Sequence, residues 1–437
     1  MLCLHMRNLL VMLVKMQNFD FILYLLIFAL FFPTFHSIFD SKGAILLNGL
    51  LIFFLVSFIV IQGKIKYELS RCAQIVVFIL FSYAVLILLS TVMGSFFSGV
   101  NIIFRDFFEI HRPVLYACVF LVSYDALQDI SQLNKLDKFL WGVLICLIVF
   151  AIFGFFKLDT TILGLYTKSA NLESKRIAAP FVNPYDFAFI STFYAFYFLM
   201  KGLYVKRRYL LFFIIPFLLI LASQSRSVFA GFAVGLIIVA PLFSFFVNLR
   251  LLRNFKLHKS LPWLTFCSLL SIILIYLLYM LIRDNFSYLV LAYERFLAGE
   301  EIRSGSIRKE QFMLAVKYAV NNPMILLFGN GPAKDVMEFV ESVYTYYFFR
   351  YGVVGFITVF LLPLFLVIRA CYKIICKVSV SSEYFPFFSA LFIWFITIPF
   401  SSIGNNFTEQ IRLSFFYYMM VGLSLKSEVL ISKGDMS

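Results

Sequence analysis

Apolar runs of roughly 17 to 25 residues recur along nearly the whole chain, each long enough to cross a hydrocarbon core of about 30 Å as a helix. They read as spans at 17–35, 44–62, 73–97, 111–127, 139–156, 186–204, 209–222, 227–247, 261–282, 353–369, 384–400 and 411–425. The runs lack the strict alternation and turn spacing of a barrel, and backbone amides in lipid have to be bonded within their own segment, so helices are predicted. The expected fold is an all-α polytopic membrane protein of about 12 transmembrane helices. After the ninth span the pattern breaks. Roughly 60 residues of mixed polar sequence run from Arg283 to Val340, then 341–355 reads ESVYTYYFFRYGVVG. Residues 1–282 thus carry helices 1–9, residues 283–352 form one long extracytoplasmic loop between the ninth and tenth spans, and residues 353–437 carry helices 10–12 and a cytoplasmic tail. A polar segment of this kind cannot lie in lipid, so it is where the chain meets an aqueous substrate.

Charge sets the orientation. The net charge of +14 would point to nucleic acid in a soluble protein, but in a chain that is 62% hydrophobic and 14% charged its distribution matters more than its size. With the N-terminus cytoplasmic, the inward segments hold 20 of the 37 Lys and Arg and the short outward loops hold about nine. Both termini are expected inside and the long loop outside. The start, Met1 to Met16, has too few polar residues near a small-residue cleavage site to look like a removed signal peptide, so the first span is expected to be retained. No cysteine falls in an outward loop, so no disulfide framework is expected. The 58 Phe are read as lipid-facing and interhelical packing.

Several chemistries have no signature here. There is no GxxxxGK phosphate loop, no HExxH, no paired CxxC and no GxSxG, and the four histidines His5, His36, His111 and His258 are isolated. Neither a metal nor a cofactor is expected, and the working groups are Arg, Glu, Asp, Tyr and Asn at the outer face.

Three outward segments carry such groups. In Arg176 to Asp186, RIAAPFVNPYD, Asn183-Pro184 marks a turn, with Pro184 in the first turn of the next helix and Asp186 near its positive end. In Ser223 to Gly235, SQSRSVFAGFAVG, Arg226 sits at the interface, where it anchors by snorkelling or points into an outward cavity, and Gly231 with Gly235 form a GxxxG for close helix contact. In the long loop, Ile307 to Val320 places Ile307, Phe312, Leu314, Ala315, Tyr318 and Ala319 near one helical face, an amphipathic helix lying on the membrane or capping a cavity. Asn321, Asn322 and Pro323 stop it, FGNGP over 328–332 turns, and Glu341, Ser342, Tyr344 and Arg350 follow at the rim of the next span. A carboxylate at that depth is costly unless paired or hydrated, which makes Glu341 a functional candidate. Arg295 and Arg303 are secondary candidates for anion binding, with a solvated loop charge as the alternative reading of each.

In this order the segments resemble the O-antigen polymerase and O-antigen ligase superfamily, the Wzy-type and WaaL-type enzymes. The residues that carry the resemblance are Arg176, Asn183 and Pro184; Ser223, Ser225 and Arg226; Arg308, Phe312, Ala315, Pro323, Gly329 and Gly331; and Glu341, Tyr344, Tyr351, Gly352 and Gly355. It covers residues from about 170 to 370, and DFFEIHR over 106–112 also looks like the first outer loop of the polymerases. The ligases carry a His-Asn pair where this chain has Glu341 and Ser342, which favours the polymerase side.

The resemblance implies a metal-independent, C-type glycosyltransferase in the bacterial inner membrane. It would move a growing glycan from undecaprenyl pyrophosphate onto a new undecaprenyl-pyrophosphate-linked repeat unit at the outer face. Its partners would be the lipid-linked oligosaccharide, membrane lipid, a chain-length regulator and a flippase, and no nucleic acid. In that reading Glu341 is the general base for the sugar hydroxyl, and Arg176, Arg226 and Arg308 hold the pyrophosphate through bidentate guanidinium donors. Asn183, Tyr344 and Arg350 complete the substrate-binding set. Three other readings stand beside it: a ligase transferring glycan to lipid A core, a flippase for lipid-linked oligosaccharides, and a channel or scaffold without catalysis. Against the flippase stand the absence of repeated halves and the single long outer loop late in the chain.

Overall fold

A computed structural model of the protein describes residues 18–35, 38, 42–62, 69–174, 176–252, 269, 276 and 303–434. The predicted ninth span, 261–282, and Arg295 lie almost wholly outside the described residues. What is described is helical, with no strand among those residues. The helices are α1 (Asn18–Phe31), α2 (Lys42–Gln62), α3 (Arg71–Ser98), α4 (His111–Ala126), α5 (Leu133–Phe156), α6 (Pro184–Tyr204) and α7 (Tyr209–Ser223). Next comes α8, Arg226–Val234, running through a π-helical stretch at Gly235–Val239 into Ala240–Leu252. Then follow α9 (Arg303–Asn321), α10 (Pro323–Phe328), α11 (Val343–Lys377), α12 (Phe385–Ser401) and α13 (Ile411–Lys433). Among the described residues five helices, α3, α5, α6, α8 and α11, are long and apolar enough to cross a membrane, and α1, α2, α7 and α12 contribute shorter apolar helices. This is the architecture of a polytopic membrane protein.

The helices run between two ends of a bundle. One end is tied by Asn18 to Asp125 at 3.3 Å, Lys201 to Asp137 at 2.8 Å and Lys373 to Glu428 at 2.7 Å, and it carries Arg71, Lys135, Arg207, Arg208 and Lys377. We call it the basic end. The other, the loop end, gathers residues 99–112, 157–174, 176–183, 224–226, 303–342 and 402–410.

Helix α6 is the hub. With 89% of its apolar window buried it faces protein rather than lipid, and its mean hydropathy of 1.2 is the lowest of the five long helices. A helix without lipid contact can carry Ser191 and Thr192, which donate to carbonyls one turn back in α6, and Tyr194, whose hydroxyl donates to Leu140 O of α5 at 2.9 Å. The GxxxG of α8 packs as its sequence predicts, since a Cβ at Gly231 would collide with Ser401 of α12 and one at Gly235 with Phe196 of α6.

Helix α11 begins at Val343, ten residues before the predicted start of the tenth span at 353, and it is broken where the two readings meet. Gly352 has φ 62° and ψ −165°, a conformation open essentially to glycine alone. The break frees two carbonyls. The amide of Asn330 donates to Phe349 O at 2.9 Å and that of Gly331 to Arg350 O at 2.8 Å. The FGNGP turn is thus wedged between α3 and the break, where Gly94, Gly329 and Gly331 leave room for no side chain. Helix α9 buries Ala315 and Ala319 and half-buries Ile307, Leu314 and Tyr318 as the helical spacing predicts, while Phe312 is 46% exposed, at the edge of that face.

Candidate functional site

At the loop end Arg308 and Glu341 meet. Arg308, on the first turns of α9, places Nε 2.9 Å from Glu341 Oε2, with the two side chains 32% and 38% exposed. One turn on, Gln311 accepts the Glu341 amide proton at 3.2 Å through its side-chain oxygen and donates to Phe339 O at 2.8 Å, so α9 grips the chain just before α11. Glu341 Oε2 is buried against the guanidinium. The exposure of the carboxylate therefore belongs to its other oxygen and its methylenes.

The remaining predicted segments converge here by backbone contacts. A Cβ at Gly404 would lie 3.3 Å from Arg308 Cζ and 2.6 Å from Ser227 Cβ, so the guanidinium sits over Gly404 beside the residue that follows Arg226. Arg226 is the first helical residue of α8, half-buried, after Gln224 makes the turn in the left-handed region at φ 54°. The segment carrying Arg176 lies against that turn, because the Ile177 amide donates to Ala222 O at 3.2 Å. Asn183 caps α6 with its carbonyl, which accepts the Asp186 amide at 3.1 Å, and Pro184 and Asp186 occupy the first turn as the sequence predicts. On the α11 side the Val343 amide donates to Ser402 O at 3.2 Å and the Tyr344 hydroxyl to Pro399 O at 3.0 Å, a last-turn carbonyl of α12 without a helical partner.

Arg350 belongs to a different cluster. It is fully buried, with Nη1 3.0 Å from Glu409 Oε1 and Nη2 donating to the carbonyls of Met337 and Glu338 at 3.3 and 3.1 Å. Arg112 lies 2.7 Å from Glu109 and 3.7 Å from Glu409, and Lys334 lies 2.6 Å from Glu109. Three cations and two anions are packed together under Tyr346, whose ring lies 4.7 Å from the Arg350 guanidinium. Burial pushes the Glu109 carboxyl up, but Arg112, Arg350 and Lys334 together outweigh it and hold the group at about 2. For Glu409 burial wins over Arg350 and Arg112, and its carboxyl stands above the usual range.

This network ties three stretches distant in sequence: 103–112, 329–350 and 407–409. Asp106 strengthens it, accepting from the amides of Ile103 at 3.0 Å and Lys334 at 3.1 Å. Sequence reasoning singled out DFFEIHR but assigned no partner to Glu109 or Arg112, and it passed over Lys334 as a binding group and Glu409 altogether. The signal was present as charged residues flanking apolar spans, in FFEIHR and NNFTEQIR. A further buried cation, Arg412, is bonded to the carbonyls of Pro180 and Phe32, where it pins the Arg176 segment to α1 and α13.

The loop end therefore offers a partly open ion pair of Arg308 and Glu341, with the Arg226 turn and the Arg176 segment beside it, standing on a buried ionic foundation. Such an arrangement can bind a di-anion through guanidinium groups and can take a proton on an exposed carboxylate oxygen. No protein-family model, no curated protein and no solved structure matches this chain.

Proposed function

We propose that the protein is a polysaccharide polymerase of the Wzy type, with 12 transmembrane helices, both termini cytoplasmic and the loop end at the outer face of the bacterial inner membrane. It transfers a growing glycan from undecaprenyl pyrophosphate to a new undecaprenyl-pyrophosphate-linked repeat unit. What supports this reading is the meeting of Arg308 with Glu341 at 2.9 Å, among the other segments that carry the resemblance. A flippase delivers the lipid-linked units and a chain-length regulator limits the product.

In this mechanism the acceptor hydroxyl gives its proton to Glu341 as its oxygen bonds the anomeric carbon of the donor. The bond from that carbon to the pyrophosphate oxygen breaks with its electron pair, and Arg176, Arg226 and Arg308 hold the departing undecaprenyl pyrophosphate. Arg308 has two calls on it. When it turns to the pyrophosphate it leaves the Glu341 carboxylate, so donor binding itself releases the base. Arg350, bonded as it is to Glu409 and two carbonyls, acts on the site through the loop it holds.

The test uses purified protein with lipid-linked repeat units and no metal or nucleotide, since the pyrophosphate linkage carries the driving force. Oligomers are expected, and Glu341→Gln should lose on the order of a hundredfold in rate while still binding substrate. Near wild-type elongation by Glu341→Gln removes it as the base. Movement of units across liposomes without elongation replaces this reading with a flippase.

A further inference from the structure

A cleft opens at the basic end, far from the loop end. Its volume is about 340 Å³, and Arg71, Cys72, Arg369, Lys373, Glu428 and Lys433 line it, from α3, α11 and α13. Four cations face one anion. Glu428 pairs with Lys373 at 2.7 Å and so is not the partner of Arg71 or Arg369. The Arg369 guanidinium points Nη1 at the thiol of Cys72 at 3.8 Å, a weak acceptor for a group with five N–H donors. Arg71, exposed at the start of α3, has no acidic side chain within ion-pair distance among the described residues. The two serines of the cleft are already engaged: Ser70 Oγ accepts the Ala73 amide at 3.3 Å and Ser432 Oγ accepts Lys377 Nζ at 2.9 Å.

The surroundings say what kind of anion fits. On α3, Ile75 and Phe78 lie one and two turns from Arg71 and are 41% and 69% exposed; on α11, Phe365 and Tyr372 flank Arg369 and are 60% and 57% exposed. Exposed apolar side chains on apolar helices face acyl chains. The cleft thus joins a positive, donor-rich mouth to a lipid-facing wall. A free phosphate would use the first feature only, whereas a phospholipid uses both. Basic pockets between membrane helices are known receptors for anionic headgroups, and each cation near such a surface contributes measurably. We infer that this cleft binds the phosphate of an anionic phospholipid, with Arg71 and Arg369 as the guanidinium donors. The site is independent of the proposed reaction and lies at the opposite end of the bundle.

The cleft contains its own reporter, because Cys72 lies within it and Cys376, two turns along α11 from Arg369, serves as internal reference. The full-length protein would be placed in nanodiscs of phosphatidylcholine, with or without phosphatidylglycerol, and alkylation of each cysteine by a maleimide followed by peptide mass spectrometry. Phosphatidylglycerol should slow the Cys72 reaction on the order of tenfold and change Cys376 little. The ratio of rates in the two lipids, taken within each variant, should fall to near one in Arg71→Gln/Arg369→Gln and persist in Arg71→Lys/Arg369→Lys. Equal Cys72 rates in the two lipids overturn the proposal, and so does protection that survives the double Gln substitution. Millimolar inorganic phosphate in phosphatidylcholine alone should not protect; protection equal to that of the lipid would assign the cleft to a soluble anion instead. If the Gln variant does not fold, the wild-type comparison and the phosphate arm still decide.

Discussion

Replacing Glu109 with Gln tests whether the buried ionic network is the foundation of the loop end. The carboxylate is fully buried and lies 2.7 Å from Arg112 and 2.6 Å from Lys334. Held at about 2 against an ordinary 4.5, it contributes about 3 kcal/mol to the folded state at neutral pH. Removal of one member of a buried ion pair costs roughly 3–5 kcal/mol, which agrees. Native charge in the cluster is three cations against two anions, one positive in excess; Glu109→Gln leaves two in excess. Adding Lys334→Met restores the original balance, so the double variant should be more stable than the single one although it carries more changes. The assay is thermal unfolding in detergent, followed by intrinsic fluorescence of the three tryptophans, of which Trp394 is 1% exposed. The single variant should melt lower by on the order of 5 °C. A single variant that melts with the wild type, or a double variant that falls further by the full amount of Lys334→Met alone, would refute the reasoning.

Three further outcomes follow from the same geometry. Arg308→Ala should remove long polymer, and Arg308→Lys should restore it only in part because an ammonium cannot reproduce the guanidinium fork; normal ladders from the alanine variant at wild-type protein levels exclude Arg308 from the reaction. Gly352→Ala places a Cβ against the Leu327 backbone at φ 62° and should cost on the order of 3 kcal/mol or more, read as a lowered melting midpoint, whereas an unchanged midpoint would mean that the break in α11 is dispensable. Because Glu109 is depressed from 4.5 to about 2, its contribution is present above pH 4.5 and lost as pH falls towards 2; Glu409, raised, opposes that loss by favouring the folded state when protonated. Wild-type melting should therefore hold or rise slightly from neutral to about pH 5, as Glu409 takes up its proton, and fall below about pH 4, and Glu109→Gln should flatten the fall.

Periodicity and charge in the sequence were enough to determine an all-helical membrane protein, because lipid requires each backbone amide to be bonded within its own segment and a long apolar run has few other solutions. Local chemistry was equally legible: Pro184 and Asp186 in the first turn of α6 and the apolar face of α9 depend on neighbours within a few residues, and the GxxxG spacing of Gly231 and Gly235 marked a close helix contact without naming its partners, Ser401 and Phe196. Helix α11 starts at Val343, ahead of the apolar span read from 353, because ESVYTYYFFR is polar enough to resemble loop and is buried by contacts with α3, α9, α10, the end of α12, Glu409 and the FGNGP wedge. Pairing lay beyond the sequence. That Arg308 meets Glu341, and that Arg350 turns instead to Glu409, depends on how helices separated by tens to hundreds of residues are arranged around α6. The same holds for Glu109, which the sequence offers with Asp106 and Asp186 as a substitute base behind Glu341, and for Lys334: packing brings residues 109 and 334 to 2.6 Å and buries the carboxylate. Charge is local to a residue; what neutralises it inside a membrane protein is a property of the tertiary structure.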